Sequence, residues 1–577
     1  MTKRASPSES ASSAKRQKLS TSSFNPRKIT TAEIGASVDA NPPLSLLLQA
    51  VANGAKKHRK GDCVVYWMRM GDLRVTDNRA LSLASRQARD TKTPLVALFV
   101  LSPQDYIAHD RSARRIDFCL RNLALIKSSL ADLHIPLYTV LQPNRRRLPS
   151  KVVDILDELN ASAVFGNIEY EVDELRRDVE ICDQVKEKNV GSVFVHDKCV
   201  VEPGVVQTKE ARSYAVYTPY QKVWLSKLNA DITHYLENYP MPAPNLEDIR
   251  KHAKFGPLFD VPVPDSVAGF ALENGDRKMM EKVWPAGEDV ASKARAIGDP
   301  IGSSQLGAVD PLAKGAEESD KRSRLAVYGD ERDRADRDTT SRIRQDPQAG
   351  TKVNGGRDSS VGRWVQEVAW RDFYVNILAG FPRVSMGRPF LEKYSEVVWE
   401  GPVLEGAYEA KNKVDTKETE EMIEKWKQGK TGYPIVDAGM RCMNEMGWMH
   451  NRLRMICAMF LTKDLMVDWR VGEEYFAQNL IDADLASNNG GWQWSASTGV
   501  DPCPYFRIFN PYSQSPKADP AGDFIRHWVP ELAKLHGPDV HKPSASAADK
   551  LGYPRPIVQH DQARARALRR FKDPGTM

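Results

Sequence analysis

Short apolar runs alternate with helical segments between residues 61 and 200, and this alternation limits the fold more than any other feature of the chain. A repeat of strand and helix buries a parallel sheet between two layers of helices. The turn after the first strand, RMGDLRVTDN, lacks the glycine fingerprint of dinucleotide-binding proteins. We therefore predict an α/β domain of Rossmann-like topology without the usual NAD site. The predicted strands are 63–68, 94–101, 135–141, 162–166 and 192–196, and the predicted helices lie near 77–90, 112–133, 150–160 and 172–189.

The chain has 577 residues, which is long enough for a second domain with its own core. Residues 201–270 contain the proline-rich stretches PMPAPN and FDVPVPDSV, which indicate an interdomain linker. Helical periodicity then predominates, so we predict an all-α domain over residues 271–577. Within it residues 291–360 are atypical, and the part from 291 to 322 contains so few large apolar side chains that we interpret it as an insertion.

The N-terminal tail carries most of the net charge. The whole chain has a formal charge of +6, and residues 1–31 alone contain seven basic side chains and one acid. Residues 1–40 are rich in serine and poor in apolar side chains, which predicts disorder. The basic clusters at 3–4 and 15–18 have the spacing of a bipartite nuclear import signal, and a mitochondrial transit peptide is the alternative. Because the remainder is close to neutral, any nucleic-acid binding by the body requires a local patch.

Other features disfavour several classes of function. Seven cysteines occur without a CxxC pair, which indicates a reducing compartment and no metal site. No apolar run approaches membrane-spanning length, so we expect no association with a membrane. Two charged segments are predicted to be exposed: 403–424 as an excursion, and 560–571 as a basic helix with a solvated face.

Residues 430–512 combine helical apolar periodicity with an unusual density of Trp, Asn, Arg and Asp. Asn451, Arg454 and Met455 share one helix face at spacings of three and four residues, away from the apolar side. The run ASNNGGWQW follows, and its glycine pair permits close approach of the backbone to a flat group. A hydrophobic core rarely contains so many polar groups beside aromatic rings. The pattern therefore predicts a binding site for a buried π-system with heteroatoms.

Three motifs, MHNRLRM, DADLASNNGGWQW and PYFRIFNP, resemble the signature of the photolyase and cryptochrome family. The resemblance runs from about residue 61 to about residue 560 and is nearest to the class I photolyases, which repair cyclobutane pyrimidine dimers. It implies an α/β antenna-binding domain, an all-α domain that binds FAD, and a monomeric enzyme whose partner is DNA. It also implies an antenna chromophore, with methenyltetrahydrofolate favoured and a deazaflavin as the alternative.

The resemblance assigns two sets of residues to cofactors. For the flavin they are Asn488 facing N5, Arg454 paired with Asp482 beside the ring, Asp484 at the pyrimidine edge, Arg371 as a further grip, and Tyr328, Thr340, Ser341 and Arg342 at the diphosphate. The family's next helix is replaced after position 343 by RQDPQAG, which predicts weaker FAD binding. For the antenna they are His109 and Glu174, although Asp173 and Met386 stand where the bacterial pattern has Asn and Lys. The alternative is that His109 and Glu174 are plain surface residues.

The resemblance also assigns the tryptophans and the lesion pocket. Trp492, Trp469 and Trp399 resemble the triad that photoreduces the flavin, ordered outward from the ring. The residues implied for the substrate are Trp370 and Trp494, which would stack on a flipped dimer, Glu367 at its base edges, Asn451, Arg452 and Met455 in the remaining wall, and Arg507 at a phosphate.

Three functions follow from this reading. The first is light-driven repair by electron transfer from reduced FAD, for which the resemblance implies Glu367, the flavin-facing Asn488 and the three tryptophans of the triad as catalytic residues. The second is a cryptochrome-type signalling flavoprotein, because the fold alone does not distinguish the two. The third is a flavin-poor, inactive form caused by the altered segment 291–360. The pair His450-Asn451 disfavours six-four photoproducts, for which the family carries two histidines at these positions.

Overall fold

The computed structural model describes residues 29–55, 58–290, 360–401, 404 and 416–576. Its N-terminal part contains one parallel sheet with the order β3-β2-β1-β4-β5. The central strand β1 is buried along its whole length and pairs with β2 on one side and β4 on the other. The predicted strands and their parallel arrangement are confirmed. The strands are β1 Cys63–Met68, β2 Leu95–Leu101, β3 Leu137–Leu141, β4 Ala161–Asn167 and β5 Gly191–Val195.

Helices cover both faces of this sheet, and several begin at caps that the sequence supplies. Asn78 caps α3 by accepting a hydrogen bond from the Leu81 amide, and Ser112 caps α5 in the same way from Arg115. The four predicted helices are confirmed as α3, α5, α6 and α7. The helices are α1 Ala32–Ala40, α2 Pro43–Ala52, α3 Arg79–Thr91, α4 Pro103–Ala108, α5 Ala113–Asp132, α6 Leu148–Glu158 and α7 Val172–Glu187.

The prediction of a disordered tail to residue 40 is wrong from residue 29 onward. Thr31 caps α1 by accepting from the Ile34 amide, and the helix continues to Ala40. Composition did not reveal this helix because it packs against a segment distant in sequence, with an ion pair between Asp39 and Arg383 as one of the contacts. The basic clusters of the tail lie outside the described residues.

The segment 201–270 is more ordered than a linker. It contains α8 Tyr217–Ala230, α9 Ile232–Tyr235 and two 3-10 turns, and α10 Asn274–Val283 follows. Trp224 of α8 is buried, and its Nε1 donates to Asp372 Oδ2 at 2.9 Å. The segment therefore connects the domains through a helix that belongs to the core, while the proline-rich stretches at 240–245 and 259–267 follow that helix.

The C-terminal domain is helical, as predicted. The expected excursion over 403–424 is wrong from residue 416 onward, because Ile423 is buried in a packed helix; residues 403 and 405–415 lie outside the described residues. The expected basic helix at 560–571 is present with Arg564 and Arg569 exposed, but Arg570 is buried against Glu400 at 2.8 Å. None of the described helices is both long and apolar enough to cross a membrane. The helices are α11 Ser360–Gly380, α12 Thr416–Gln428, α13 Pro434–Met446, α14 Asn451–Met459, α15 Trp469–Asn479, α16 Leu485–Ala496, α17 Pro511–Ala518, α18 Asp523–Trp528, α19 Pro538–His541, α20 Ala545–Leu551 and α21 His560–Lys572.

Candidate active site

A cavity of about 580 Å³ opens in the helical domain between α11, α14 and α16. It brings together side chains that are far apart in sequence and that the motifs singled out. The predicted residues that line it are Glu367, Trp370, Arg371, Asn451, Arg452, Arg454, Met455, Asp482, Asp484, Asn488, Trp492 and Trp494. Four predicted residues, Tyr328, Thr340, Ser341 and Arg342, lie outside the described residues.

Helix α16 forms one wall of the cavity, and its two glycines serve different purposes. A Cβ at Gly490 would lie 2.2 Å from the ring of Tyr374, so only glycine allows α11 and α16 to approach this closely. A Cβ at Gly491 would meet nothing within 4 Å, and this residue lines the cavity. The pair therefore joins two helices on one side and leaves space for a ligand on the other.

Arg454 and Asp482 form the ion pair that the motifs predicted. Arg454 Nη2 lies 3.1 and 2.8 Å from the two carboxylate oxygens of Asp482. The guanidinium is fixed further because its Nε donates to the Met449 carbonyl at 2.7 Å. The pair presents a planar cation and a carboxylate side by side at the cavity wall.

Asp484 has a partner that the sequence analysis missed. Its Oδ2 accepts from the Ser487 amide at 2.9 Å and so caps α16, while its Oδ1 lies 2.7 Å from Lys198 Nζ. Burial alone would raise the pKa of Asp484, but Lys198 and the Ser487 amide outweigh burial and hold the pKa well below its usual range. Lys198 follows the carboxyl end of β5, where parallel sheets place ligand-binding groups. This position in the sequence could have identified Lys198 as a residue of the site.

Arg371 is oriented by a neighbouring carboxylate. Its Nη2 donates to Asp372 Oδ1 at 2.8 Å, and the other oxygen of Asp372 accepts from Trp224 and from the Val201 amide. The guanidinium is buried yet lines the cavity. A cation held in this way suits an anionic or carbonyl-bearing ligand.

The three predicted electron-transfer tryptophans lie on adjoining elements. Trp492 lines the cavity, and its ring fills the space beside Gly472 of α15, where a Cβ would lie 2.1 Å from it. Trp469 begins α15 and is buried. Trp399 is half-buried and precedes Glu400, whose amide donates to the Met466 carbonyl at 2.7 Å. Of the three, Trp492 alone lines the cavity.

The cavity lining also includes most of the residues predicted for a substrate. Trp370 stacks on Tyr217 with ring centroids 3.5 Å apart and planes inclined by 6°, so one of its faces is covered. Glu367, Asn451 and Arg452 line the cavity and are exposed to solvent. Arg507 is exposed and lies outside the cavity lining, on the loop that follows α16. Tyr217, which supports Trp370, was not predicted.

His109 and Glu174 form a separate cluster at the α/β domain. His109 Nε2 lies 3.0 Å from Glu174 Oε1 and 3.7 Å from Asp105, and Arg145 contacts both His109 and Asp173. Burial would lower the pKa of His109, but the two carboxylates raise it to about 9. The alternative that these are plain surface residues is wrong. Three atoms of metal-ligand type lie within 4.8 Å of one another here, but the imidazolium and Arg145 already balance the carboxylates.

Two family models match the chain. One, described as the FAD binding domain of DNA photolyase, matches residues 364–573, and the other, described as DNA photolyase, matches residues 64–245. The chain is 39% identical to a deoxyribodipyrimidine photo-lyase of Neurospora crassa, over 95% of this chain and 88% of the relative. It is 32% identical to a mitochondrial deoxyribodipyrimidine photo-lyase of Saccharomyces cerevisiae, over 95% and 94%.

Solved structures have the same fold. A class III photolyase from Agrobacterium tumefaciens is 27% identical with a TM-score of 0.67, covering 90% of this chain and 98% of that chain. A cryptochrome from Synechocystis is 21% identical with a TM-score of 0.62, covering 88% and 98%, and this likeness concerns the fold alone.

Proposed function

This chain belongs to the DNA photolyase family, and we infer that it is a deoxyribodipyrimidine photo-lyase that repairs pyrimidine dimers in DNA under light. The observation that carries this inference is that the Arg454–Asp482 pair lines the same cavity as Glu367 and Trp370. Reduced FAD, when bound, supplies the excited electron that splits the cyclobutane ring and that returns afterwards. Repair of dimers by the purified protein under blue light tests the inference.

The cavity residues fit FAD by their chemistry. The glycine-lined wall at Gly491 leaves room for a planar ring, and the Arg454–Asp482 pair offers complementary donors and acceptors at its edge. Asn488 Nδ2 donates to the Glu473 carbonyl at 2.9 Å, which fixes this side chain at the cavity wall. We propose that Asn488 faces N5 of the flavin and that Asp484 and Arg371 contact the flavin as well. For the diphosphate we propose Tyr328, Thr340, Ser341 and Arg342, which lie outside the described residues.

For the substrate, we propose that a flipped dimer enters from the exposed side of the same cavity. The free face of Trp370 and the ring of Trp494 would stack on the two bases, and Glu367 would accept hydrogen bonds from their edges. Asn451, Arg452 and Met455 line the rest of the cavity. Arg507, which is exposed on the loop that follows α16, would contact a phosphate. The presence of Glu367, Trp370, Asn451 and Trp494 with Asn488 in one cavity favours repair over cryptochrome-type signalling.

For activation, we propose that Trp399, Trp469 and Trp492 relay electrons from the surface toward the cavity. The support is their placement on three adjoining elements, with Trp492 at the cavity and Trp399 as the least buried of the three. Their burial keeps water away from the inner two rings.

We propose that the His109–Glu174 cluster holds an antenna chromophore, with methenyltetrahydrofolate favoured over a deazaflavin. Glu174 Oε2 is buried and lacks a hydrogen-bond partner among the residues that the structure describes. An acceptor of this kind suits a ligand with ring N–H and amino donors, as a pterin has. The absorption spectrum of chromophore released from purified protein distinguishes the two compounds.

We propose that the protein acts as a monomer.

We also propose that it enters the nucleus, with a mitochondrial share as the alternative. The support for nuclear import is the spacing of the basic clusters at 3–4 and 15–18. Fluorescent fusions of the full chain and of a chain lacking residues 1–28 test the targeting, and nuclear accumulation of the shortened form would contradict it. The cut belongs at 28 because residues 29 and 30 contact the helical domain.

We also propose that the altered segment 291–360, of which residues 291–359 lie outside the described residues, weakens FAD binding. The flavin absorbance of the protein as purified measures it directly. One FAD per chain, without added cofactor, would contradict it.

A further inference from the structure

Helix α1 packs on residues 382–390 of the helical domain. Asp39 accepts a hydrogen bond from the Arg383 amide at 3.0 Å and pairs with its guanidinium. The Thr30 amide donates to the Met386 carbonyl at 3.1 Å. A Cβ at Gly35 would lie 3.3 Å from the Cβ of Arg383, so the helix and the segment are in close contact.

The other side of this segment bonds to the helices that form the cavity. The Val384 carbonyl accepts from Asn489 Nδ2 at 3.1 Å, and the Phe390 amide donates to Gln493 Oε1 at 2.9 Å. Gln493 Nε2 in turn donates to Asn489 Oδ1 at 2.9 Å, so these two residues of α16 are bound to each other as well. The Gly387 carbonyl accepts from Arg470, the neighbour of Trp469.

A continuous line of hydrogen bonds therefore runs from α1 to α16. Its two ends are connected through one short segment, since Arg383 also donates from Nη2 to the Phe390 carbonyl at 2.9 Å. Helix α16 carries Asn488, Trp492 and Trp494 on the faces that line the cavity. A nine-residue helix such as α1 is not stable alone, so its order and that of the segment depend on each other.

We propose that α1 positions the cofactor-binding helix: Asp39 and Arg383 act through residues 384–390 on Asn489 and Gln493, and thereby set the place of Asn488 and Trp492. Both are positioning residues, since neither lines the cavity. The expected consequence for FAD rests on the proposed function. The coupling between α1 and α16 does not, because it is a property of the protein alone.

Hydrogen–deuterium exchange of the full chain freed of FAD tests the coupling. We expect Asp39→Ala to increase amide exchange in residues 382–390 and 485–496, while strand β1 stays unchanged. Asp39→Asn keeps an acceptor for the Arg383 amide and should have a smaller effect. The matched control is Asp154→Asn, which removes an exposed carboxylate of α6. Exchange that rises only in residues 29–41 and 382–390, or that rises equally in β1, would overturn the proposal.

Titration of the same apo proteins with FAD gives the second readout. Asp39→Ala should weaken binding by about two- to fivefold, the effect of losing one partly exposed ion pair. Gln493→Met interrupts the line at its far end, so the double variant should be weakened no more than the stronger single variant. Additive losses would overturn the proposed route. If the parent protein binds no FAD, the proposed function fails, and the exchange data still decide the coupling.

Discussion

Lys198 Nζ lies 2.7 Å from Asp484 Oδ1, so a cation of the α/β domain holds a carboxylate at the cavity wall of the helical domain. The same carboxylate caps the helix that carries Asn488 and Trp492. The two domains are therefore coupled at the cavity itself, and this pair fixes the first turn of α16 in position and in charge.

Replacing Lys198 with Met should lower both stability and FAD affinity. The pKa of Asp484 is depressed in the folded chain, so its stabilising contribution is present at neutral pH and is lost as the pH falls through the folded-state pKa. We expect a loss of about 1 kcal/mol at pH 7. In thermal unfolding, the difference between variant and parent should shrink as the pH is lowered below 4.

Lys198→Arg is the conservative control. It should retain most of the stability and FAD affinity of the parent protein, because it keeps the positive charge beside Asp484. Lys222→Met removes an exposed cation of α8 and should be neutral. A Lys198→Met protein that unfolds like the parent at pH 7 would contradict the assigned role.

Loss of the lesion stack should weaken binding of damaged DNA selectively. We expect Trp370→Ala to lower affinity for dimer-containing DNA by about 1–3 kcal/mol while the flavin stays bound. Glu367→Ala should act in the same direction, since it removes an acceptor at the base edges. Binding titrations with damaged and undamaged oligonucleotides measure both. Tyr217→Phe keeps the supporting ring and serves as the control; equal losses on both DNAs would mean that Trp370 is structural.

Interrupting the tryptophan relay should separate activation from repair. Trp469→Phe should abolish light-driven reduction of the oxidised cofactor, yet protein reduced chemically should still repair dimers. Trp426→Phe is the matched control, because Trp426 is equally buried and its ring lies 6.3 Å from Trp492 outside the proposed route. Time-resolved absorbance after a light pulse distinguishes them. Normal photoreduction in Trp469→Phe would exclude the relay.

The antenna cluster should respond to alkaline pH. The pKa of His109 is raised to about 9, so its contribution to stability is complete below its usual pKa near 6.5 and is lost as the pH rises through about 9. Glu174→Gln removes the nearest carboxylate and should flatten the dependence of Tm on pH between about 7 and 9.5. Glu187→Gln, exposed on the same helix, is the control. An unchanged pH profile in Glu174→Gln would contradict the pairing.

The sequence predicts those parts of the fold and of the site that local patterns or long motifs encode. The five strands follow from apolar runs, and the cavity residues follow from motifs whose members lie on three helix faces. The partners that it did not predict are distant in sequence. Lys198 and Asp484 are 286 residues apart, and Asp39 and Arg383 are 344 apart, so no periodicity marks either pair. For the same reason composition predicts disorder where α1 forms, and charge does not reveal that Arg570 is buried.

Repair of thymine dimers under blue light tests the central claim most directly. Purified protein, loaded with reduced FAD, is mixed with UV-irradiated oligothymidine, and recovery of absorbance near 260 nm is followed in light and in darkness. We predict recovery in the light only, and a strong reduction of it in Glu367→Ala at limiting DNA. A reduced, FAD-loaded protein that binds the damaged strand but restores no absorbance under blue light would contradict the assignment of this chain as a photo-lyase.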